Sequence, residues 1–390
     1  MANKKIIISG GGTGGHVFPA IAIADALSQQ LDNPEILFVG AKGRMEMDKV
    51  PEAGYNIIGL QIEGFKRKLS LANIKVILKL FTSLRAAGKI LREFSPDVVV
   101  GVGGYASGPV LRKAAGMGIP TLIQEQNSYA GVTNRLLAKR ALKICVAYEG
   151  MERYFPADKL VITGNPVRNE IRKLGRAEGA EGNPSGLEVS HSEPAAASGE
   201  RSAARAYLGI ESDADVILVL GGSLGARTIN QAVEKGIDLL LESGVVVIWQ
   251  CGKYYYEDLM AATKDLPGDR ILLKDFISRM DQAYMAADAI IARAGALTIS
   301  ELCLVGKPAI LVPSPNVAED HQTKNAESLS GKSAAIYIPD AEAGERMIPE
   351  ALDLLKDRER MQKLSINISG LAISDSAERI ANEVIELMQT

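Results

Sequence analysis

Three polar clusters in this chain of 390 residues have the residue types and spacing to handle an anionic, hydroxyl-rich ligand. Between Asp288 and Asn325, a β-branched run Ala289–Ala292 ends in Arg293-Ala294-Gly295-Ala296, and Thr298, Ser300 and Glu301 follow at the start of a helix. The free N–H groups of such a helix start bind anions, and Glu301 stands where a carboxylate could accept bonds from a ribose diol. A second apolar run, Pro308–Pro313, leads through Glu319, Asp320, His321 and Gln322 to Asn325. Glycine, hydroxyl, carboxylate and amide groups thus share one rim, the place where open α/β sheets take ligands.

The second cluster is Gly10-Gly-Gly-Thr13-Gly14-Gly15-His16. Glycines at a strand end let a ligand approach the main chain, and His16 inside the loop suits proton transfer or diphosphate binding; the plainer alternative is a histidine that caps its helix. Gly10, Gly12 and Gly15 also satisfy G-x-G-x-x-G, but the acidic partner that a dinucleotide site needs about 20 residues on is ambiguous between Asp32 and Glu35. The third cluster joins Tyr105, in the turn Gly103–Pro109, to Glu125 and Asn127, in the loop Gln124–Gly131. Ser128 reads as a turn residue.

The elements that must position these groups alternate. Lys4–Ser9, Glu35–Gly40, Ile57–Leu60, Val98–Val102, Thr121–Gln124, Lys143–Val146 and Lys159–Thr163 read as strands. Helices fall between them, Pro19 in the first turn of one, and such alternation predicts a parallel, doubly wound sheet. After Gly164-Asn-Pro-Val-Arg168 the pattern stops, and Gly175–Ala204 reads as a solvated loop without chemistry, His191 included. It resumes at Val216–Leu220, whose glycine loop Gly221–Arg227 repeats the first and offers Ser223 to a phosphate. Strands at Val245–Gln250, Ala289–Ala292, Pro308–Val312 and Ala335–Ile338 complete a second sheet. The Asp213-Ala-Asp215 pair precedes a strand and reads as a turn. Asp375-Ser-Ala-Glu378 opens the last helix with a capping-box pattern.

Composition narrows the class. With 44 basic and 47 acidic residues the net charge is −3, which suggests no nucleic-acid partner. Cys145, Cys251 and Cys303 have neither metal nor disulfide spacing, fit a reducing cytoplasm, and read as small buried hydrophobes. No run reaches the roughly 18 apolar residues of a membrane span. The predicted helix Leu71–Phe94 nevertheless mixes Ile74, Ile77, Leu78, Phe81 and Leu84 with Lys75, Lys79, Arg85, Lys89 and Arg92, after Lys66-Arg67-Lys68. That mixture suits an anionic bilayer surface, or a helix that packs one side on a sheet.

Taken together, GGTGGHVFPA, GGYASGP, EQN, GNPVR, GGSLGAR and ARAGALTISEL…GKPAILVP…HQTKNA resemble the MurG family of bacterial peptidoglycan glycosyltransferases. The resemblance covers nearly the whole chain. Gln124 departs from it, standing where many relatives carry histidine, and the Gly175–Ala204 loop is longer than the family needs. The family implies a GT-B fold, two Rossmann-like domains with an interdomain cleft: residues 1–165 for the acceptor and the membrane, a linker over 166–205, residues 206–370 for UDP-GlcNAc, and a helix over 371–390 returning to the first domain. It implies transfer of N-acetylglucosamine from UDP-GlcNAc to undecaprenyl-diphospho-MurNAc-pentapeptide (lipid I), on the cytoplasmic face of the membrane, with no cofactor and no metal.

By that resemblance Thr13, Gly14, Gly15, Asn127, Arg168 and Ser223 belong to the donor site. Ile277 meets uracil through its main chain, Ala296, Leu297, Thr298, Ile299, Ser300 and Glu301 hold phosphate and ribose, and Gln322 binds sugar hydroxyls. Tyr105 and Asn134 fall to the acceptor. The transfer is inverting, with His16 the candidate base and Glu125 its rival. Other readings are a UDP-GlcNAc 2-epimerase-like enzyme of the same fold, a nicotinamide dehydrogenase built on Gly10–Gly15, and a non-catalytic nucleotide-sugar binding module.

Overall fold

The computed structural model describes residues 3–62, 72–177, 195–211, 213–222, 224–317 and 320–389, and the side chains of these apart from residues 72–80, 175–177 and 195–198. Expectations placed on Lys66–Lys68, Ser223 and Glu319, on His191 and the rest of residues 178–194, and on the side chains of Ile74, Lys75, Ile77, Leu78 and Lys79 lie outside the described residues.

The chain forms two units, Met1–Arg168 with Asp375–Thr390, and Asn169–Ser374. The first contains β1 (Lys5–Ser9), α1 (Gly14–Gln30), β2 (Glu35–Ala41), α2 (Glu46–Glu52), β3 (Asn56–Leu60), α3 (Ala72–Phe94) and β4 (Val98–Gly101). It continues with α4 (Ser107–Gly116), β5 (Thr121–Glu125), α5 (Val132–Leu137), β6 (Lys143–Val146) and β7 (Leu160–Ile162). The second opens with α6 (Asn169–Ala177), α7 (Ala195–Leu208), β8 (Val216–Leu220), α8 (Arg227–Lys235), α9 (Ile237–Ser243), β9 (Val246–Gln250), α10 (Tyr256–Thr263) and β10 (Ile271–Lys274). It closes with α11 (Met280–Ala286), β11 (Ala289–Ala292), α12 (Ala296–Val305), β12 (Ala309–Leu311), α13 (His321–Gly331), β13 (Ile336–Tyr337), α14 (Ala343–Lys356) and α15 (Arg358–Ser369), and α16 (Ser376–Leu387) returns to the first unit.

Both sheets are parallel, with strand orders β3-β2-β1-β4-β5-β6-β7 and β10-β9-β8-β11-β12-β13. The continuous apolar runs make sense because helices cover both faces. Successive side chains of a strand point to opposite faces. Ile6, Ile8, Val98, Val100, Leu122 and Cys145 therefore pack with α1 and α16, while Ile7, Leu37, Val39, Val99, Ile123 and Ile144 pack with α3, α4 and α5. Register keeps the layers aligned, Ile7 lying between Leu37 and Val99, and Val219 between Trp249 and Ile291. The order reverses between β1 and β4 and again between β8 and β11, and at those switch points the loops part to leave a ligand edge.

Several local readings change. Pro19 lies in the second turn of α1, because the helix starts at Gly14. Asp375 precedes α16 without capping it and instead pairs with Arg379 at 2.9 Å. The expected loop ends early: Ala195–Leu208 is helical, and its Ala204 and Arg205 are buried. Alanine is the strongest helix former, so grouping it with Gly, Ser and Pro hid α7. Arg205 donates to Asp288 at 2.7 Å, and Arg201 reaches the other oxygen of that carboxylate. The Asp213-Ala-Asp215 segment is a turn, with Asp215 paired to Arg358 at 3.2 Å. All three cysteines are free and buried, and burial pushes the Cys251 thiol up to about 11 and the Cys303 thiol up to about 12.

Candidate functional site

In the first unit the edge is built from loops braced by buried carboxylates. The loop after β1 runs through Gly11 at φ 141° and Gly12 at φ 95°, conformations that favour glycine. Beneath it Glu46, 1% exposed, accepts from the Gly12 amide at 2.7 Å and the Ala41 amide at 2.9 Å. A Cβ on Gly11 would lie 2.2 Å from that carboxyl carbon. The Gly12 amide is thus committed to the protein's own acid. Neither expected dinucleotide partner serves the loop, since Asp32 is exposed and Glu35 opens β2 at the opposite edge, 3.5 Å from Lys5.

The loop after β4 closes on the first. A Cβ on Gly104, at φ 82°, would come 2.3 Å from the Gly11 carbonyl oxygen, so only glycine permits this approach. His16 sits in the first turn of α1, its amide donating to the Thr13 carbonyl at 3.0 Å, so Thr13, Gly14 and Gly15 wrap the start of its helix. The imidazole lies against Gly103, whose built Cβ would be 2.8 Å from Cε1, and its Nδ1 is 3.1 Å from Gln126 Oε1. Three loops meet at this side chain. Tyr105 stands beside them, 52% exposed.

Glu125 differs from His16 in kind. It is 1% exposed, and its Oε1 accepts from the main-chain and side-chain nitrogens of Asn127, both at 3.1 Å. Its Oε2 accepts from the Gly131 amide and from Asn134 Nδ2, both at 2.9 Å. Four donors on two oxygens make it the brace of its loop and leave no geometry for taking a proton from a ligand. Asn134, expected to touch an acceptor, is 2% exposed and donates to Glu125 and to the Gln124 carbonyl, so it braces the same loop. Beyond β7, Asn165 is buried and the Arg168 guanidinium lies 4.5 Å from the centre of the Phe18 ring.

In the second unit β11 is followed by Arg293, whose Nη1 donates to the carbonyls of Val312 at 3.0 Å and Pro313 at 2.9 Å and pairs with Asp340. Asn325 donates to the Ala294 carbonyl at 3.1 Å, so the turn into α12 is pinned from two sides. Gly295 caps that helix without a side chain, and the helix supplies no acceptor for the amides of Ala296, Leu297 and Thr298. Ile299 is buried, and its amide is already bonded to the Gly295 carbonyl at 2.9 Å. Ser300 donates back to the Ala296 carbonyl at 3.1 Å. Glu301 is 6% exposed and accepts from the buried Tyr284 hydroxyl at 3.0 Å, which fixes how the carboxylate is presented.

The remaining donor-site expectations acquire orientations. The Ile277 amide donates to Gln250 Oε1 at 3.1 Å, which fixes the main chain there. Gln322 Oε1 accepts from the Ser314 amide at 2.8 Å, which makes Nε2 its donor end. Glu46, Gln126, Asn165, Gln250 and Tyr284 escaped sequence reasoning. Gln126 and Asn165 stand inside the polar motifs EQN and GNPVR, a signal that could have drawn attention to them; the other three lie far in sequence from what they support.

The glycosyltransferase family 28 N-terminal domain profile matches residues 6–146, and the family 28 C-terminal domain profile matches residues 216–380. The chain is 54% identical over 388 residues to the UDP-N-acetylglucosamine–N-acetylmuramyl-(pentapeptide) pyrophosphoryl-undecaprenol N-acetylglucosamine transferase of Parabacteroides distasonis, covering 100% of this chain and 99% of that one. It is 52% identical to the enzyme of the same name from Porphyromonas gingivalis, over 100% and 97% of the two chains. Among solved structures, Acinetobacter baumannii MurG superposes with a TM-score of 0.70 at 28% identity, covering 98% of this chain and 99% of that one. A UDP-GlcNAc 2-epimerase from Neisseria meningitidis reaches 0.64 at 15% identity, over 98% and 100%, a likeness of fold alone. Matched along its full length and in both halves, the chain belongs to glycosyltransferase family 28 and, within it, to the MurG family of N-acetylglucosamine transferases.

Proposed function

We propose that this chain transfers N-acetylglucosamine from UDP-GlcNAc to the 4-hydroxyl of MurNAc in lipid I, forming lipid II. The observation that carries the chemistry is His16, seated where three loops of the first unit meet and engaged through Nδ1. Its Nε2 takes the proton of the attacking hydroxyl. The hydroxyl oxygen forms a bond to the anomeric carbon on the face opposite UDP, the bond from that carbon to the β-phosphate oxygen breaks, and UDP departs with the electron pair. The start of α12 and the Arg168 guanidinium stabilise the charge that grows on the diphosphate. Glu301, steered by Tyr284, takes the ribose diol, the Ile277 carbonyl meets uracil, and Gln322 Nε2 donates to a sugar hydroxyl. Tyr105, the exposed polar group of the first unit's edge, falls to the acceptor.

A lipid-borne acceptor requires a membrane-facing surface, and the first unit supplies groups for one. Phe81 on α3 and Val132 and Leu136 on α5 are 60%, 68% and 77% exposed, on the helices that flank α4. Arg85, Lys89, Arg112, Lys113, Arg135 and Lys139 are exposed on the same helices and the turn after α5. Apolar anchors among cations fit the anionic cytoplasmic leaflet. No helix among the described residues is long and apolar enough to cross a membrane, so this contact is peripheral.

The deciding assay follows UDP release from UDP-GlcNAc with and without a lipid I analogue. Release depends on the analogue, and His16→Ala lowers kcat on the order of 100-fold or more while UDP-GlcNAc affinity changes little. Equal release without the analogue would overturn the transferase reading, and equal losses of kcat and affinity would remove His16 as the base.

A further inference from the structure

The bond between His16 Nδ1 and Gln126 Oε1 leaves open which ring nitrogen carries the proton, and the amides behind it decide the matter. Gln126 Nε2 lies 2.8 Å from the main-chain carbonyl oxygen of Val102, a group that can only accept. The same Nε2 also donates to Gln124 Oε1. Both amide hydrogens are therefore used, and turning the amide around would set Oε1 against the Val102 oxygen. Gln124 is oriented independently, since its Nε2 donates to Asn165 Oδ1 at 3.3 Å while Asn165 Nδ2 donates to the Gln126 carbonyl at 3.0 Å. The series ends at both extremities on main-chain carbonyls. Gln124, Gln126 and Asn165 are 0%, 2% and 3% exposed, so water cannot replace a lost partner and the alternative orientation is costly.

Only an acceptor therefore faces the imidazole. A neutral His16 must carry its proton on Nδ1 and keep its lone pair on Nε2. We propose that Gln126 is a positioning residue for the transfer: it selects the His16 tautomer that can receive a proton at Nε2, and Gln124 and Asn165 hold Gln126 in the orientation that does so. This inference rests on the reading of His16 as the base. Gly103 contributes the second restraint, because its missing side chain lets the ring approach the main chain, 2.9 Å from Nδ1 to the position a Cβ would take. A neutral amide orients the ring without placing a negative charge beside it, which separates this arrangement from a carboxylate–histidine pair.

The test is side-chain NMR on the full-length enzyme labelled with ¹⁵N-histidine, with His16→Gln used to assign one of three histidines. At a pH where the ring is neutral, His16 shows a protonated Nδ1 and an unprotonated Nε2. Gln126→Leu preserves bulk and removes the acceptor; the tautomer signal moves toward Nε2–H, and kcat falls on the order of tenfold or more while KM for UDP-GlcNAc stays within about twofold. A wild-type His16 protonated on Nε2 overturns the proposal even if every variant fails to fold, as does a folded Gln126→Leu enzyme with unchanged tautomer and kcat. Undiminished kcat in His16→Ala would instead remove the base reading alone, because the tautomer is measured without turnover.

Discussion

Glu125 shows how a carboxylate beside a reactive group can be committed elsewhere. Each of its oxygens accepts two hydrogen bonds from its own loop, and replacing the acid with its amide sets an NH₂ against N–H donors. Glu125→Gln is expected to cost about 1–3 kcal/mol in urea unfolding, the penalty of leaving buried partners unsatisfied. If instead this variant abolished turnover at unchanged stability, Glu125 would be the proton acceptor and His16 would lose that role. The residue types and their loops are readable from sequence, since His16, Glu125, Asn127 and Glu301 all lie at or beyond strand ends. Whether a polar atom is spent on the protein or left for a ligand depends on partners such as Asn134 and Tyr284, which no local pattern announces.

At the scale of elements, α7 is joined to the second sheet through charge. Asp288 is 6% exposed, and its Oδ2 accepts from Arg205 at 2.7 Å and from the Val216 amide at 2.8 Å, while Arg201 meets Oδ1. Arg205 is 3% exposed, and burial pulls its guanidinium below the ordinary arginine range. Removing the acid leaves a buried cation without its counter-charge, so Asp288→Ala is expected to destabilise the second unit by about 3–5 kcal/mol. Trp249, the chain's one tryptophan, is fully buried in β9 and reports that unfolding by fluorescence. An unchanged midpoint would mean that α7 contributes nothing to the unit. Strands such as Val216–Leu220 and Ala289–Ala292 were legible to the residue because short apolar, β-branched runs that lead into a glycine turn admit little else. The helix α7 was not, because its support lies in Asp288, ahead of β11, and in its packing on α11, and not in its own periodicity.

At the scale of the molecule, the first unit is made of two chain segments, and α16 completes it from the far end of the sequence. Ile380, Val384 and Leu387 enter the same core as Ile6, Ile8 and Leu27, each burial worth about 1.5–3 kcal/mol. Lys143 adds a salt bridge to Glu383 at 2.8 Å, and that bond raises the lysine above its ordinary range. Its contribution is therefore present at neutral pH and is lost only as pH climbs through the raised value. Deleting residues 375–390 should bring forward the unfolding of β1 and α1, seen as faster amide exchange there and an early circular-dichroism transition, while the Trp249 transition stays where it was. Coincident shifts of both would show that α16 does not serve the first unit alone. The membrane surface belongs to this scale too: Phe81→Ser with Leu136→Ser should release the enzyme from anionic vesicles, and undiminished co-sedimentation would end that proposal.

The order of strands and helices, the two glycine loops after β1 and β8 and the residues that crowd the strand ends were set by the sequence alone, because periodicity, β-branching and glycine placement act over a few residues. Tertiary structure decided which acids are braces, which amides are turned toward His16, and that residues 195–208 form a helix. Those outcomes depend on hydrogen-bond partners tens to hundreds of positions away, such as Glu46 beneath Gly12, Asn165 behind Gln124 and Asp288 against Arg205. A buried polar atom is satisfied only by whatever the fold brings to it.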